Sequence, residues 1–210
     1  MFNHFKRNCG RTNKMKHPKP LIYPYLCLLS LFFYSSLSSD PVHQACQKLA
    51  HSDPKLNYDF CVASLESDPK SPTARLEELG AISVMQTISN ATYLQSYIFN
   101  LLEDIRFDPY SKACLKDCLE LYSDAIDTLR VALDHFKTKH YSDAKQGFSS
   151  AMDASDTCEE GFMEKKGEAS PLTEDDSFFQ LCAMDLAFGT ILERWLYVDA
   201  MFHLPVKFIE

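Results

Sequence analysis

Three features of the sequence predict an all-α protein: an up-down-up-down four-helix bundle with an N-terminal helical hairpin, stapled by disulfides. Four long stretches carry apolar residues at steps of three and four, the period of a helix with one buried face. The connections between them are short, which makes sequence neighbours antiparallel. Six cysteines lie in the part that folds, and no run of alternating β-branched residues reads as a strand.

The first forty residues stand apart. Six of the 21 Lys and Arg residues (Lys6, Arg7, Arg11, Lys14, Lys16, Lys19) precede residue 20, whereas none of the 29 acidic residues precedes Asp40. The basic stretch leads into the apolar run Leu26–Tyr34 and then into Ser35, Ser36, Ser38 and Ser39. Basic, apolar, small is the order of a secretory signal peptide, with cleavage near Ser38 or Ser39. The basic stretch is long, so an uncleaved signal anchor is the alternative. The chain therefore divides into a signal segment at 1–39, a folded domain at 40–197 and a C-terminal tail at 198–210. Without the leader it carries a net charge of about −14. That charge argues against nucleic acid and anionic membrane as partners.

The N-terminal unit, Val42–Ser67, holds two short apolar segments separated by the turn residues Ser52-Asp53-Pro54-Lys55. The first bundle helix spans about Thr73–Glu103, with Leu76, Leu79, Ile82, Met85, Ile88, Leu94, Ile98 and Leu101 as its apolar positions and Gly80 as a weak point. The second opens at Asp108-Pro109, a capping residue followed by Pro at the first helical position. Its stripe runs from Leu115 through Tyr122, Ile126 and Leu129 to Phe136. The third spans about Tyr141–Lys165. The fourth starts at Thr173-Glu174-Asp175-Asp176, a capping-box type of sequence, and continues to about Tyr197 with Leu181, Met184, Phe188, Ile191 and Trp195 on one face.

Residues level with each other across an antiparallel hairpin are equidistant from its turn. Cys46 and Cys61 are centred on Asp53 and Pro54; Cys118 and Cys158 are centred on Thr138, between the second and third helices. Each pair is therefore placed for a disulfide. In the chain-entropy account the bridges contribute about 3 and about 4 kcal/mol. Cys9 and Cys27 leave with the signal segment. Cys114 and Cys182 remain, either bridging the second and fourth helices or as buried free thiols, and Cys114 could compete for Cys158.

Several segments resemble the plant invertase/pectin methylesterase inhibitor family. They are Asn57-Tyr58-Asp59-Phe60-Cys61, Ser67-Asp68-Pro69-Lys70-Ser71, Cys118-Leu119-Glu120-Leu121-Tyr122-Ser123-Asp124-Ala125 and Asp156-Thr157-Cys158-Glu159-Glu160-Gly161-Phe162. Within that family the stretch Phe162–Pro171 is similar to the pollen-allergen type of invertase inhibitor. The resemblance covers roughly Val42–Leu192. It implies the same bundle and the same pairs, Cys46–Cys61 and Cys118–Cys158. It also implies a one-to-one complex with an acid invertase or a pectin methylesterase, in the cell wall or the vacuole. Three departures accompany it. The Pro-Lys-Phe loop of one invertase-inhibitor branch is replaced by Arg106-Phe107-Asp108-Pro109-Tyr110-Ser111. Met184-Asp185-Leu186 stands where the family usually has Asn-Ala-Leu. Leu196–Glu210 extends past the usual end, and its Pro205-Val206-Lys207-Phe208 resembles the missing loop only in letters.

No catalytic or cofactor constellation stands out. The acidic pairs Glu77-Glu78, Glu159-Glu160 and Asp175-Asp176 are adjacent on helices and point about 100° apart, so they do not converge on a sugar. His135 and His140 lack the further ligands that zinc prefers, because the hairpin disulfide consumes Cys118. No phosphate loop and no GxSxG motif is present. The expectation is a protein without catalytic activity, cofactor or metal.

The leader and the resemblance together imply a secreted inhibitor of an acid invertase, acting by steric occlusion through the loop between the first two bundle helices. Phe107, Asp108, Pro109 and Tyr110 are the expected contact residues, with Tyr93 and Tyr97 nearby. The alternatives are an inhibitor of pectin methylesterase that docks its acidic face on a basic groove, or a small-ligand carrier or storage protein. A filled core favours an inhibitor; a helix-lined apolar cavity favours a carrier. Asn90-Ala91-Thr92 is a glycosylation sequon.

Overall fold

The computed structural model describes residues 40–164, 170–172 and 175–202. The signal segment with Cys9 and Cys27 lies outside the described residues. So do Thr173 and Glu174 of the predicted capping box, the middle of the Phe162–Pro171 stretch, and Pro205–Phe208.

Among the described residues the structure is all-helical. A hairpin of α1 (Pro41–Ser52) and α2 (Tyr58–Glu66) leads through a single 3-10 turn, Ser71–Thr73, into four long helices. These are α3 (Leu76–Leu102), α4 (Pro109–Lys137), α5 (Tyr141–Met163) and α6 (Asp175–Phe202). Each packs on its neighbours in sequence and α6 closes the ring against α3, giving an antiparallel four-helix bundle. The hairpin lies on α6 and α3. None of the described helices is long and apolar enough to cross a membrane.

Local chemistry sets the helix starts. Asp40 caps α1 by accepting from the Val42 amide at 2.9 Å, and Asn57 caps α2 by accepting from Phe60 N at 3.1 Å. Glu78 accepts from Arg75 N at 2.7 Å at the start of α3, and this bond holds its carboxyl below the usual range. The α4–α5 turn passes through Lys139 at φ 64°, with His140 N donating to the His135 carbonyl at 2.9 Å.

Both bridges form inside their own hairpins, Cys46–Cys61 with Cα atoms 5.7 Å apart and Cys118–Cys158 with Cα atoms 5.0 Å apart. Cys114 and Cys182 are buried free thiols, and Cys114 Sγ lies 3.3 Å from the Gly161 carbonyl oxygen. Burial, with Asp185 close by, pushes the Cys182 thiol well above its ordinary range.

The core is filled by large side chains. Tyr122, Phe148, Phe162, Phe178 and Phe188 are fully buried, and the Tyr122 and Phe178 rings meet edge to face at 5.2 Å. Gly80 allows α3 to approach this core closely: a methyl there would collide with the Phe136 ring.

The fourth bundle helix differs from the predicted single stripe. Phe178, Leu181, Cys182, Ala183, Met184, Asp185, Ala187 and Phe188 are all buried, because the α1–α2 hairpin covers the face that a bundle alone would leave wet. Beyond Glu193 the residues of the helix up to Met201 are exposed. Trp195, placed on the core stripe by periodicity, is 58% exposed, with Lys48 Nζ 5.5 Å from its ring centre. Met85 of α3 is likewise exposed.

Among the described residues one carboxylate is buried in this core. Asp185 is fully buried and accepts from Ser83 Oγ at 2.5 Å and Thr87 Oγ1 at 2.6 Å. Burial raises its pKa to about 7, although both hydroxyls pull it down. In the unfolded chain an aspartate ionises near about 4. Between those values the unfolded chain has released a proton that the folded chain keeps. Stability therefore falls as the pH rises from about 4 to about 7 and levels off above, a loss on the order of a few kcal/mol. Asp185→Asn removes this proton exchange. Urea unfolding at pH 4.5, 6 and 7.5 is expected to show the wild type losing stability relative to the variant across that range.

Candidate functional site

The α3–α4 connection is a short loop held from both ends. On the α3 side, Glu103 N and Asp104 N donate to the Asn100 and Leu101 carbonyls at 3.3 and 3.1 Å. Lys112 Nζ reaches back to the Leu102 carbonyl at 2.9 Å, satisfying one of the acceptors that a helix end leaves open. On the α4 side, Asp108 caps the helix by accepting from Tyr110 N at 2.8 Å, Ser111 N at 3.3 Å and Ser111 Oγ at 2.9 Å. Pro109 follows at the first helical position and is exposed.

The crown of the loop is pinned by one carboxylate. Asp104 accepts from the Arg106 backbone N at 2.9 Å and from its guanidinium at 2.6 to 3.0 Å. The Arg106 guanidinium beside it holds the Asp104 carboxyl down at about 2. Between these two residues Ile105 projects into solvent, 93% exposed. An isoleucine so presented at a loop tip has no role in the fold.

The expected contact residues separate into two groups. Phe107 and Tyr110 are half-buried and pack against the core, and the Tyr110 hydroxyl donates to the Gly161 carbonyl at 2.7 Å. Their rings form the underside of the loop. Asp108 shapes it and Pro109 faces outward. Ile105 and Arg106 form the tip. Sequence reasoning passed over Ile105, although an isolated isoleucine among Glu103, Asp104 and Arg106 is the available signal.

Exposed aromatic residues also occur on two faces of α3. Tyr93 and Tyr97 stack at 6.2 Å, and Phe99 is 58% exposed. Phe99 lines a cleft of about 560 Å³ with Gln95, Ser96 and Asn100 of α3 and Leu119, Glu120 and Ser123 of α4. Tyr93 lies instead on the side of α3 that meets Ser64, Ser67 and Leu181, so Phe99 is the aromatic side chain exposed on the α4 side next to the loop.

The other singled-out residues lie elsewhere. Asn90 is half-buried within α3 and lines a second cleft of about 340 Å³ with Ser64, Ser67, Gln86, Ser89, Tyr93 and Leu181. His135 and His140 pack edge to face at 6.2 Å across the α4–α5 turn, where His140 Nδ1 lies 3.1 Å from Thr138 Oγ1.

A sequence model of the plant invertase/pectin methylesterase inhibitor family matches residues 40–188. A Platanus orientalis protein described as "Putative invertase inhibitor" is 43% identical over 164 residues, which are 78% of this chain and 96% of the relative. Pectinesterase inhibitor 12 of Arabidopsis thaliana is 36% identical over 170 residues, 80% of this chain and 97% of the relative. A crystal structure of a mutant form of a pectin methylesterase inhibitor from Arabidopsis matches with a TM-score of 0.60 at 23% identity, covering 73% of this chain and 97% of that one. That likeness is one of fold.

The Tyr110–Gly161 bond ties the loop to α5. Removing the hydroxyl in Tyr110→Phe is expected to cost about 1 kcal/mol, read as a shift in the urea midpoint, and to leave the far end of the bundle unchanged.

Proposed function

The chain belongs to the plant invertase/pectin methylesterase inhibitor family, and from that premise we propose that it is a secreted inhibitor that binds an acid invertase one to one and blocks its active site. The observation that carries this reading is the 43% identity to the Platanus orientalis protein described as "Putative invertase inhibitor" across 96% of that relative's length. The geometry supports it. A rigid loop with an exposed isoleucine at its tip is suited to enter a cleft, since little ordering entropy is lost when a pre-set loop docks.

The mechanism is occlusion. Ile105, Arg106 and Pro109 meet the target, while Phe107, Asp108 and Tyr110 hold them in place from beneath. Phe99 extends the contact along the α3–α4 cleft. The core is filled by aromatic side chains, and the clefts of about 560 and 340 Å³ lie on the outside of the bundle, which supports an inhibitor over a carrier.

A second reading is inhibition of pectin methylesterase. The 36% identity to a pectinesterase inhibitor over 97% of its length favours it, as does the excess of acidic residues, which suits a basic groove. The two readings separate in parallel assays of the purified chain against acid invertase and pectin methylesterase at acidic pH. Inhibition of invertase with pectin methylesterase untouched is the expected result; inhibition of neither at micromolar protein would sink both readings. Ile105→Asp is expected to weaken invertase inhibition at least about tenfold with an unchanged melting temperature, the size of effect typical of a buried interface anchor. Unchanged potency in that variant removes the loop tip from the mechanism.

Asn90 is proposed to carry an N-linked glycan. Treatment of the secreted chain with an N-glycosidase is expected to lower its mass, and Asn90→Gln to abolish that change; an unaltered mass overturns the assignment.

A further inference from the structure

The open end of the N-terminal hairpin brings together three side chains that no part of the inhibitory reading uses. Asp40 stands at the cap of α1, His43 in its first turn and Glu66 at the end of α2. All three are exposed. One donor atom from each can be chosen so that all lie within 4.8 Å of one another, and His43 Nε2 is 3.6 Å from Glu66 Oε1.

The imidazole is already aimed. His43 Nδ1 lies 2.8 Å from the Tyr58 hydroxyl, and the two rings sit 6.3 Å apart. This contact occupies one ring nitrogen and leaves Nε2 turned toward Glu66. A metal-bound histidine requires that division of labour: one nitrogen on the ion, the other carrying its proton to a neighbouring oxygen. Asp40 uses Oδ1 for the Val42 amide at 2.9 Å, and its second oxygen remains for a ligand.

We propose that Asp40, His43 and Glu66 form a binding site for one divalent transition-metal ion, with zinc as the probe. One imidazole and two carboxylates suit zinc and its first-row neighbours over magnesium or calcium, which prefer oxygen donors alone. Bonds to nitrogen and oxygen of about 2.0–2.2 Å place tetrahedral ligands about 3.4 Å apart. The three side chains close by roughly an ångström to reach that geometry, a movement that exposed side chains make freely. A water molecule completes the coordination. The ion neutralises two facing carboxylates and joins the first turn of α1 to the last turn of α2. This second clasp lies one helical turn from Cys46 and does not depend on thiol oxidation.

The test is zinc titration of the tag-free, purified chain at neutral pH by calorimetry, with magnesium as the comparison ion. The expected result is saturable binding of one zinc per chain and none of magnesium. His43→Gln and Glu66→Gln are expected to weaken zinc binding at least about tenfold, and Tyr58→Phe to weaken it by about the same factor through loss of the imidazole's partner. Asp40→Asn keeps the helix cap, since asparagine caps as well as aspartate, and weakens zinc binding without lowering the melting temperature of the zinc-free chain. Zinc also raises the melting temperature of the wild type but not of His43→Gln. The proposal is overturned if zinc does not bind saturably, if binding survives His43→Gln and Glu66→Gln unchanged, or if it is lost instead in a His135→Gln/His140→Gln variant.

Discussion

The structure depends on the burial of α6 between two layers. An ordinary four-helix bundle wets the outer face of every helix. Here the α1–α2 hairpin packs on α6 and α3, so α6 is enclosed over Phe178–Phe188. Removing that many apolar side chains from water is the dominant favourable term in the fold, at roughly 1.5–3 kcal/mol for each large residue. The hairpin has little core of its own: α1 contributes Val42, Ala45, Cys46 and Leu49, and α2 contributes Cys61 and Leu65. Its disulfide closes the hairpin, and its seat on α6 and α3 makes it part of the domain.

Enclosure explains features that look unrelated. Asp185 is cut off from water where α6 packs on α3, and Ser83 and Thr87 of α3 supply its hydrogen bonds. Gly80 is needed because α3 must fit close to Phe136 beside the same core. Where the enclosure ends, Lys145 of α5 pairs with Glu193 of α6 at 2.5 Å, and beyond that point residues 194–201 of α6 are exposed.

Much of this was legible in the sequence, for reasons that are physical. Helix period, short connections and hairpin-symmetric cysteines are local or nearly local signals, and they predicted the helices and the placement of both cysteine pairs. The prolines and capping residues at Asp108-Pro109 marked the start of α4 directly. What the sequence concealed was tertiary. Periodicity assigns Trp195 to the α6 stripe because a stripe has no knowledge of where its partner helices stop. The burial of Asp185 depends on α3, whose Ser83 and Thr87 lie about a hundred residues away along the chain. The candidate loop shows the same division. Its cap was readable, but the inward turn of Phe107 and Tyr110 and the outward turn of Ile105 follow from the Asp104–Arg106 pair and the Tyr110–Gly161 bond, which only the folded chain contains.

The order of the cysteines has a consequence for how the chain is made. The two bridges are consecutive along the sequence and do not interleave: Cys46–Cys61 closes entirely before Cys118 appears, and Cys118–Cys158 spans no residue of the first loop. A chain that emerges N-terminus first can therefore oxidise each hairpin as it arrives, with no need to break one bond to make the next. Cys114, four residues ahead of Cys118, is the thiol best placed to take Cys158 wrongly. Its seat against the Gly161 carbonyl, at 3.3 Å, gives it a partner of its own once α4 and α5 have met. The connectivity itself thus demands no exchange between the two bridges.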